Sequence, residues 1–212
     1  MAEKLTIPGD DWRKALESVR IPKDQLNSLV LNYLVTEGYR QAAEQFRHES
    51  GCTLHFDPEE IDQRMRVRRA VMEGEIDEAI SAVNELDAQI LDGNQGLLFR
   101  LRLQKLIEYI RQGAVQEALA FSQEVLAPVA VSNPSLLQAL EEVMALLAFE
   151  SLESSPLAHL VHSSHLQTIA SELNSAILAS SGLVQDSKIT ALMKNLAWSQ
   201  RRFHDYVSIS PN

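Results

Sequence analysis

The stretch Leu101-Arg-Leu-Gln-Lys-Leu-Ile-Glu-Tyr-Ile-Arg-Gln-Gly-Ala-Val-Gln-Glu-Ala-Leu-Ala-Phe121 decides the fold. Leu101, Leu106, Ile107 and Ile110, extended backwards by Leu97 and Leu98, mark a helix that ends near Gly113. After the glycine, Glu117-Ala118-Leu119 opens a return helix. The same grammar stands earlier in the chain, where Gly74-Glu-Ile-Asp-Glu-Ala-Ile80 echoes Gly113-Ala-Val-Gln-Glu-Ala-Leu119. A helix, a glycine turn and a Glu-Ala-aliphatic restart, used twice, predict helical hairpins stacked in series. Alanine and glycine at the bend let the two helix backbones approach closely.

Working outward, Asp57-Pro58-Glu59-Glu60 predicts a helix start, with Asp as cap and Pro in the first turn, and that helix runs to Gly74. Glu75 to Ile90 follows, and Asp92-Gly93-Asn94 breaks the chain. Downstream, Pro128 and Asn133-Pro134 separate the next part. Leu136, Leu137, Leu140, Val143, Met144, Leu147 and Ala148 then form an apolar face wide enough to be buried on more than one side. Leu166, Ile169, Ala170, Leu173 and Ile177 predict a further helix. A last one, capped by Asp186 or Ser187, carries Ile189, Leu192, Met193, Leu196 and Trp198. Towards the start, Trp12, Ala15, Leu16 and Val19 predict a short helix closed by Ile21-Pro22.

Between them lies a hairpin with its own character. Leu26, Leu29, Val30, Tyr33 and Leu34 stripe one helix, Gly38 caps it, and Tyr39, Ala42, Ala43 and Phe46 stripe the next. Helices this short cannot bury both their faces on each other. The stripe therefore meets a second copy of itself or a third element.

Composition agrees with an all-α chain. Of 212 residues, 30 are Leu and 22 Ala, against 8 Gly and 7 Pro. The apolar fraction of 45% and charged fraction of 23% exclude a wholly disordered chain. A formal net charge of −10 disfavours bulk affinity for nucleic acid or anionic membrane, both of which are polyanions. The longest apolar run, Val143–Phe149, falls far short of the about 20 residues that cross a bilayer, and Met1–Trp12 lacks the apolar stretch of a signal peptide. Cys52 is the only cysteine, which excludes an internal disulfide and a cysteine zinc cluster and predicts a reducing compartment, cytoplasm or nucleus.

At this point the chain resembles a known family. Leu26-x-x-Leu29-Val30-x-x-Tyr33-Leu34-x-x-Glu37-Gly38-Tyr39-x-x-Ala42-Ala43-x-x-Phe46 is similar to a LisH motif. Ile61–Ile80 followed by Phe99–Phe121 resembles a CTLH motif, its specific part being Leu101-x-x-Gln104-x-Leu106-Ile107-Glu108-x-Ile110-Arg111-x-Gly113-x-x-x-Glu117-Ala118-Leu119-x-Phe121. Ala145-Leu-Leu-Ala-Phe149 with Ser154-Ser155-Pro156 resembles a CRA domain. Met65 and Val67 stand where isoleucines are usual. The resemblance divides the chain into an N-terminal helix (1–22), LisH (23–56), CTLH (57–127) and CRA (128–212).

The LisH–CTLH–CRA resemblance implies a non-catalytic scaffold of a multisubunit GID/CTLH-type ubiquitin ligase, supporting proteasomal degradation and needing no cofactor. It implies self-association through Leu26, Leu29, Val30, Tyr33, Leu34, Ala42, Ala43 and Phe46 of LisH. The last CRA helices are expected to fold back toward that motif. It implies pairing through CTLH–CRA, at Leu101, Leu106, Ile107, Ile110, Leu140, Met144, Leu147 and Phe149. The partner there is a homologous subunit, typically a Ran-binding-protein-type scaffold. RING-bearing subunits would supply the ligase chemistry, since this chain has no Cys/His zinc array. The rival is a LisH-containing helical adaptor for cytoskeletal or trafficking machinery.

Other residues take plainer readings. His159, His162 and His165 invite a metal, but Ser163-Ser164 and the lack of an adjacent acidic ligand favour a polar turn. Arg64, Arg66, Arg68 and Arg69 lie among acids, which predicts a solvated face of i,i+4 pairs, with a subunit contact by Arg64 or Arg68 open. Cys52 reads as a structural thiol, and Trp12 and Trp198 as core.

Overall fold

Gly74 and Gly113 take left-handed backbone, φ 79° and 72°, and each closes a helix in the same way. The Glu75 N–H donates to the Ala70 carbonyl and the Gly74 N–H to Val71; Ala114 and Gly113 repeat this onto Tyr109 and Ile110. Both are Schellman turns, which satisfy the last carbonyls of a helix while reversing the chain. The echo in the sequence is thus an echo in structure. The two turns differ in surroundings. A Cβ on Gly74 would lie 3.0 Å from Glu108 Cδ, whereas Gly113 faces open space. Alanine at either position should cost about 1–2 kcal/mol through left-handed strain. Gly74→Ala should cost more, because the Glu108 side chain, which accepts from Gln104 and Arg111, must move. Urea midpoints of the two variants, followed by circular dichroism, check the order.

The computed structural model describes residues 4–184 and 186–210, so Met1–Glu3 of the apolar-poor start lie outside the described residues. Among the described residues the fold is all-α apart from one pair of short strands. In order come β1 (Leu5–Pro8), α1 (Gly9–Ser18), α2 (Lys23–Glu37), α3 (Arg40–Ser50), α4 (Pro58–Glu73) and α5 (Ile76–Asp87). Then follow α6 (Gln89–Asp92), α7 (Gln95–Arg111), α8 (Val115–Phe121), α9 (Ala127–Ala130) and α10 (Pro134–Met144). α11 (Ala158–Val161), α12 (Ser163–Ser180), α13 (Lys188–Tyr206) and β2 (Val207–Ser210) complete it. No helix among the described residues is long and apolar enough to cross a membrane.

The chain forms two compact units: residues up to Ile61 together with those from Asp186, and Asp62–Gln185 between them. The units do not follow the linear segmentation, because the last helix belongs with the first part of the chain.

In the second unit, α7 is the axis. Leu97 and Leu101 join Val67, Val71, Ile76, Val83 and the α12 residues Ile169 and Leu173 in one core. Phe99, Leu103, Leu106, Ile107 and Ile110 join Ala118, Leu126, Leu140, Val143 and Leu146 in another. The hairpins are tied outside these cores too. Arg66 bridges Glu78 and Glu85 at 2.6 and 2.8 Å, and Lys105 reaches Asp77 at 2.6 Å.

Three expectations are corrected here. The Arg66 partners lie across the hairpin and not at i,i+4. Arg64 is not on a solvated face: it is 5% exposed and donates to Asn174 Oδ1 at 2.9 Å. Pro128 does not break the chain. The widened π turn Ser122–Leu126 leads without interruption into α9, and a wider turn relieves the clash of a proline ring with the carbonyl one turn back.

In the first unit, α2 and α3 form the hairpin around Gly38, φ 90°, again closed by a Schellman pair from Tyr39 to Leu34 and Gly38 to Val35. α13 packs on α2, as the resemblance implies for the last helix. Its first N–H, on Lys188, donates to Asn32 Oδ1 at 2.8 Å, while Ser187 caps it by accepting from Thr190 N–H. β1 and β2 pair in parallel, Leu5 opposite Val207 and Ile7 opposite Ile209. These strands were not foreseen. Trp12 stacks on Phe203 with centroids 4.9 Å apart, holding α1 to α13 beside the strands.

Candidate protein-interaction faces

The first unit has a thin interior. Among its described residues the buried apolar side chains are Leu31, Ala43, Phe56 and Ile61. Leu31 is wholly buried and was not among the foreseen stripe residues. The run Leu29-Val30-Leu31 carries the signal: consecutive residues are about 100° apart on a helix, so three apolar neighbours cannot share one face.

The foreseen LisH residues divide accordingly. Leu26 and Val30, one turn apart, are exposed at 44% and 37%. Leu29, Tyr33, Leu34 and Phe46 are half-buried, Ala42 is exposed, and Ala43 is fully buried. Tyr33 and Tyr39 bring their rings to 6.3 Å across the Gly38 turn. Phe46 also lines a groove with Cys52, whose Sγ lies 3.6 Å from Ser28 Oγ.

Apolar exposure continues in the same unit on α13. Leu192, Met193 and Leu196 share one face and are each more than half exposed. Trp198 is 63% exposed, which corrects its reading as core; Arg202 lies 5.9 Å from its ring centroid. Large apolar side chains are thus left in water over two helices that pack on each other, and contiguous apolar patches are seldom left open on monomeric proteins.

The second unit treats the foreseen CTLH–CRA residues differently. Leu101, Leu106, Ile107, Ile110 and Leu140 are interior, the first three at 0% exposure. They can shape a surface but cannot touch a partner without unfolding. Met144 and Leu147 are half-buried, and Phe149 is exposed at 38% where the chain leaves its 3₁₀ turn. Val129 and Val131 add exposed apolar area at α9 and just beyond it, unsignalled by any motif.

The histidines act locally. His162 Nδ1 accepts from the Ser164 N–H at 3.3 Å and so caps α12. Burial, with His159 adding to it and Glu172 opposing, pushes the His165 imidazole pKa down.

Comparison with known proteins matches this architecture. The family described as "CTLH/CRA C-terminal to LisH motif domain" matches residues 60–204, and the LisH family matches residues 24–50. The chain is 44% identical to "Protein GID8 homolog" of Arabidopsis thaliana over 202 residues, 95% of this chain and 83% of that protein. It is 35% identical to "GID complex subunit 8" of Schizosaccharomyces pombe over 211 residues, 95% of this chain and 88% of that protein. It is 30% identical to "Ran-binding protein M homolog" of Arabidopsis thaliana over 179 residues, 78% of this chain but 38% of that protein.

Proposed function

The chain belongs to the LisH–CTLH/CRA family, and from that premise we propose that it is a non-catalytic scaffold subunit of a multisubunit ubiquitin ligase of the GID/CTLH type, acting in cytoplasm and nucleus. The names of its relatives support subunit membership. The thin interior of the first unit carries the rest. Among its described residues, four buried apolar side chains beside a broad exposed apolar surface leave that unit short of the core a small domain needs. A second copy of the same surface supplies it, since a helical hairpin buries its stripe most economically against itself by two-fold symmetry. Each Leu or Val newly buried contributes about 1.5–3 kcal/mol, and several are needed to exceed the cost of association. The second unit, with Met144, Leu147 and Phe149 at its surface, would hold a homologous subunit; the similarity to a Ran-binding-type relative supports a partner of that kind. Two interfaces on one chain raise the effective concentration of RING-bearing and receptor subunits around a substrate.

Leu26→Asp with Val30→Asp tests self-association without touching the monomer interior. Light scattering should give a mass near twice the 23.7 kDa chain for the native protein and near one chain for the double variant. An unchanged mass in the variant places the contact elsewhere. Affinity purification from cells should recover RING-bearing and Ran-binding-type subunits; cytoskeletal or trafficking components without them would establish the adaptor reading instead.

A further inference from the structure

The lysines are unevenly placed. The chain has six, and from Gln112 through Ser187 it has neither lysine nor arginine. The second unit therefore contains one lysine, Lys105. Its Nζ donates to Asp77 Oδ2 at 2.6 Å, lies 5.5 and 5.1 Å from the Tyr109 and Phe121 ring centroids, and its side chain is only 22% exposed. Burial alone would lower its pKa, but the hydrogen bonds to Asp77 and Tyr109 outweigh that and hold the ammonium above its ordinary value. Acyl transfer needs an amine with an open approach, and the Lys105 amine is held between an ion pair and two aromatic rings.

The first unit differs. Lys4 donates to the His204 carbonyl and Lys194 to Asp186. Lys14, Lys23 and Lys188 are exposed and make no ion pair with a described residue. Lys23 and Lys188 are the first residues of α2 and α13, the helices that carry the exposed apolar surface.

We propose that ubiquitin conjugation to this chain is confined to the first unit, at Lys14, Lys23 and Lys188, and spares the second. The proposal rests on the ligase reading above. The neutral Nζ attacks the thioester carbonyl of a conjugating enzyme charged with ubiquitin. The C–N isopeptide bond forms, the C–S bond breaks, the enzyme's cysteine leaves as thiolate, and the amine proton passes to solvent; nothing is oxidised or reduced. Conjugation at Lys23 or Lys188 would place ubiquitin beside the self-association surface and compete with it, while the CTLH–CRA part of the second unit offers no acceptor.

The tagged full chain, purified with its bound subunits after proteasome inhibition, is digested with trypsin plus Glu-C, because trypsin alone finds no site between Arg111 and Lys188. Diglycine remnants are expected on Lys14, Lys23 or Lys188, with little or none on Lys105, whose side chain is held by Asp77 and two aromatic rings. Comparable occupancy at Lys105 overturns the proposal. So do remnants nowhere in a preparation that contains RING-bearing subunits. If those subunits are missing as well, the ligase reading itself has failed and this proposal goes with it. Acetylation of the purified chain by an N-hydroxysuccinimide ester gives a readout independent of any ligase. Lys105 should react more slowly than Lys14, and Asp77→Asn should narrow the gap, because Asp77 holds the Lys105 ammonium at 2.6 Å; equal rates in the native chain overturn the proposal.

Discussion

Ile107→Ala is expected to cost the second unit about 2–5 kcal/mol, the range for truncating a fully buried aliphatic side chain. Ile107 is 0% exposed and sits where α7 meets α8, α9 and α10, so no flexible loop can collapse into the space it leaves. A loss of this size is a large part of the 5–15 kcal/mol that holds a typical domain folded. Urea unfolding followed by circular dichroism reads it. Tryptophan fluorescence does not, because Trp12 and Trp198 both belong to the first unit. The variant should also lose CTLH–CRA partners on purification, as the indirect consequence of an unfolded surface. Phe149→Ala, at an exposed position, is the contrasting control: partner loss at near-native stability.

Asn174→Leu is expected to cost about 1.5–3 kcal/mol, the contribution of a hydrogen bond to a charged group. Its Oδ1 accepts from the Arg64 guanidinium at 2.9 Å, and both side chains are more than nine-tenths buried. Leucine fills the same volume but withdraws an acceptor from a cation that water cannot reach. Arg64→Met in the same chain should recover most of the loss, because an apolar pair of similar shape removes the demand along with its supply. Urea midpoints of the two single variants and the double variant form a cycle. Additive costs would mean that the two residues do not act on each other.

How legible this was in the sequence depended on range. Gly38, Gly74 and Gly113 punctuate helices by local chemistry, and local chemistry is written in adjacent residues. The stripe on α2 was legible as apolar, but its division between Leu31 inside and Leu26 and Val30 outside needed α13, which comes from the far end of the chain. α7 read as a helix with one apolar face; Phe99 and Leu103 give it two, and the second became meaningful only once α10 lay against it. That is why Leu106 and Ile107, read as partner-binding, are interior. Arg64 was illegible for the same reason. Surrounded by Asp62, Arg66 and Arg68, nothing nearby marks it for burial, and Asn174 stands far along the chain. Strands of four residues, Leu5–Pro8 and Val207–Ser210, alternate too briefly to be separated from loop.

The parallel pairing of those two strands sets an order in time. Asp62–Gln185 is contiguous in sequence, so it can fold without waiting for the two ends of the chain to meet. Leu5 must wait for Val207. The first unit closes a loop nearly as long as the chain, and contacts at such separation form slowly. Until then the α2 stripe lacks α13 to cover it. The folding chain therefore passes through a stage with the second unit formed and the apolar side chains of α2 still open, when chaperone engagement should be greatest.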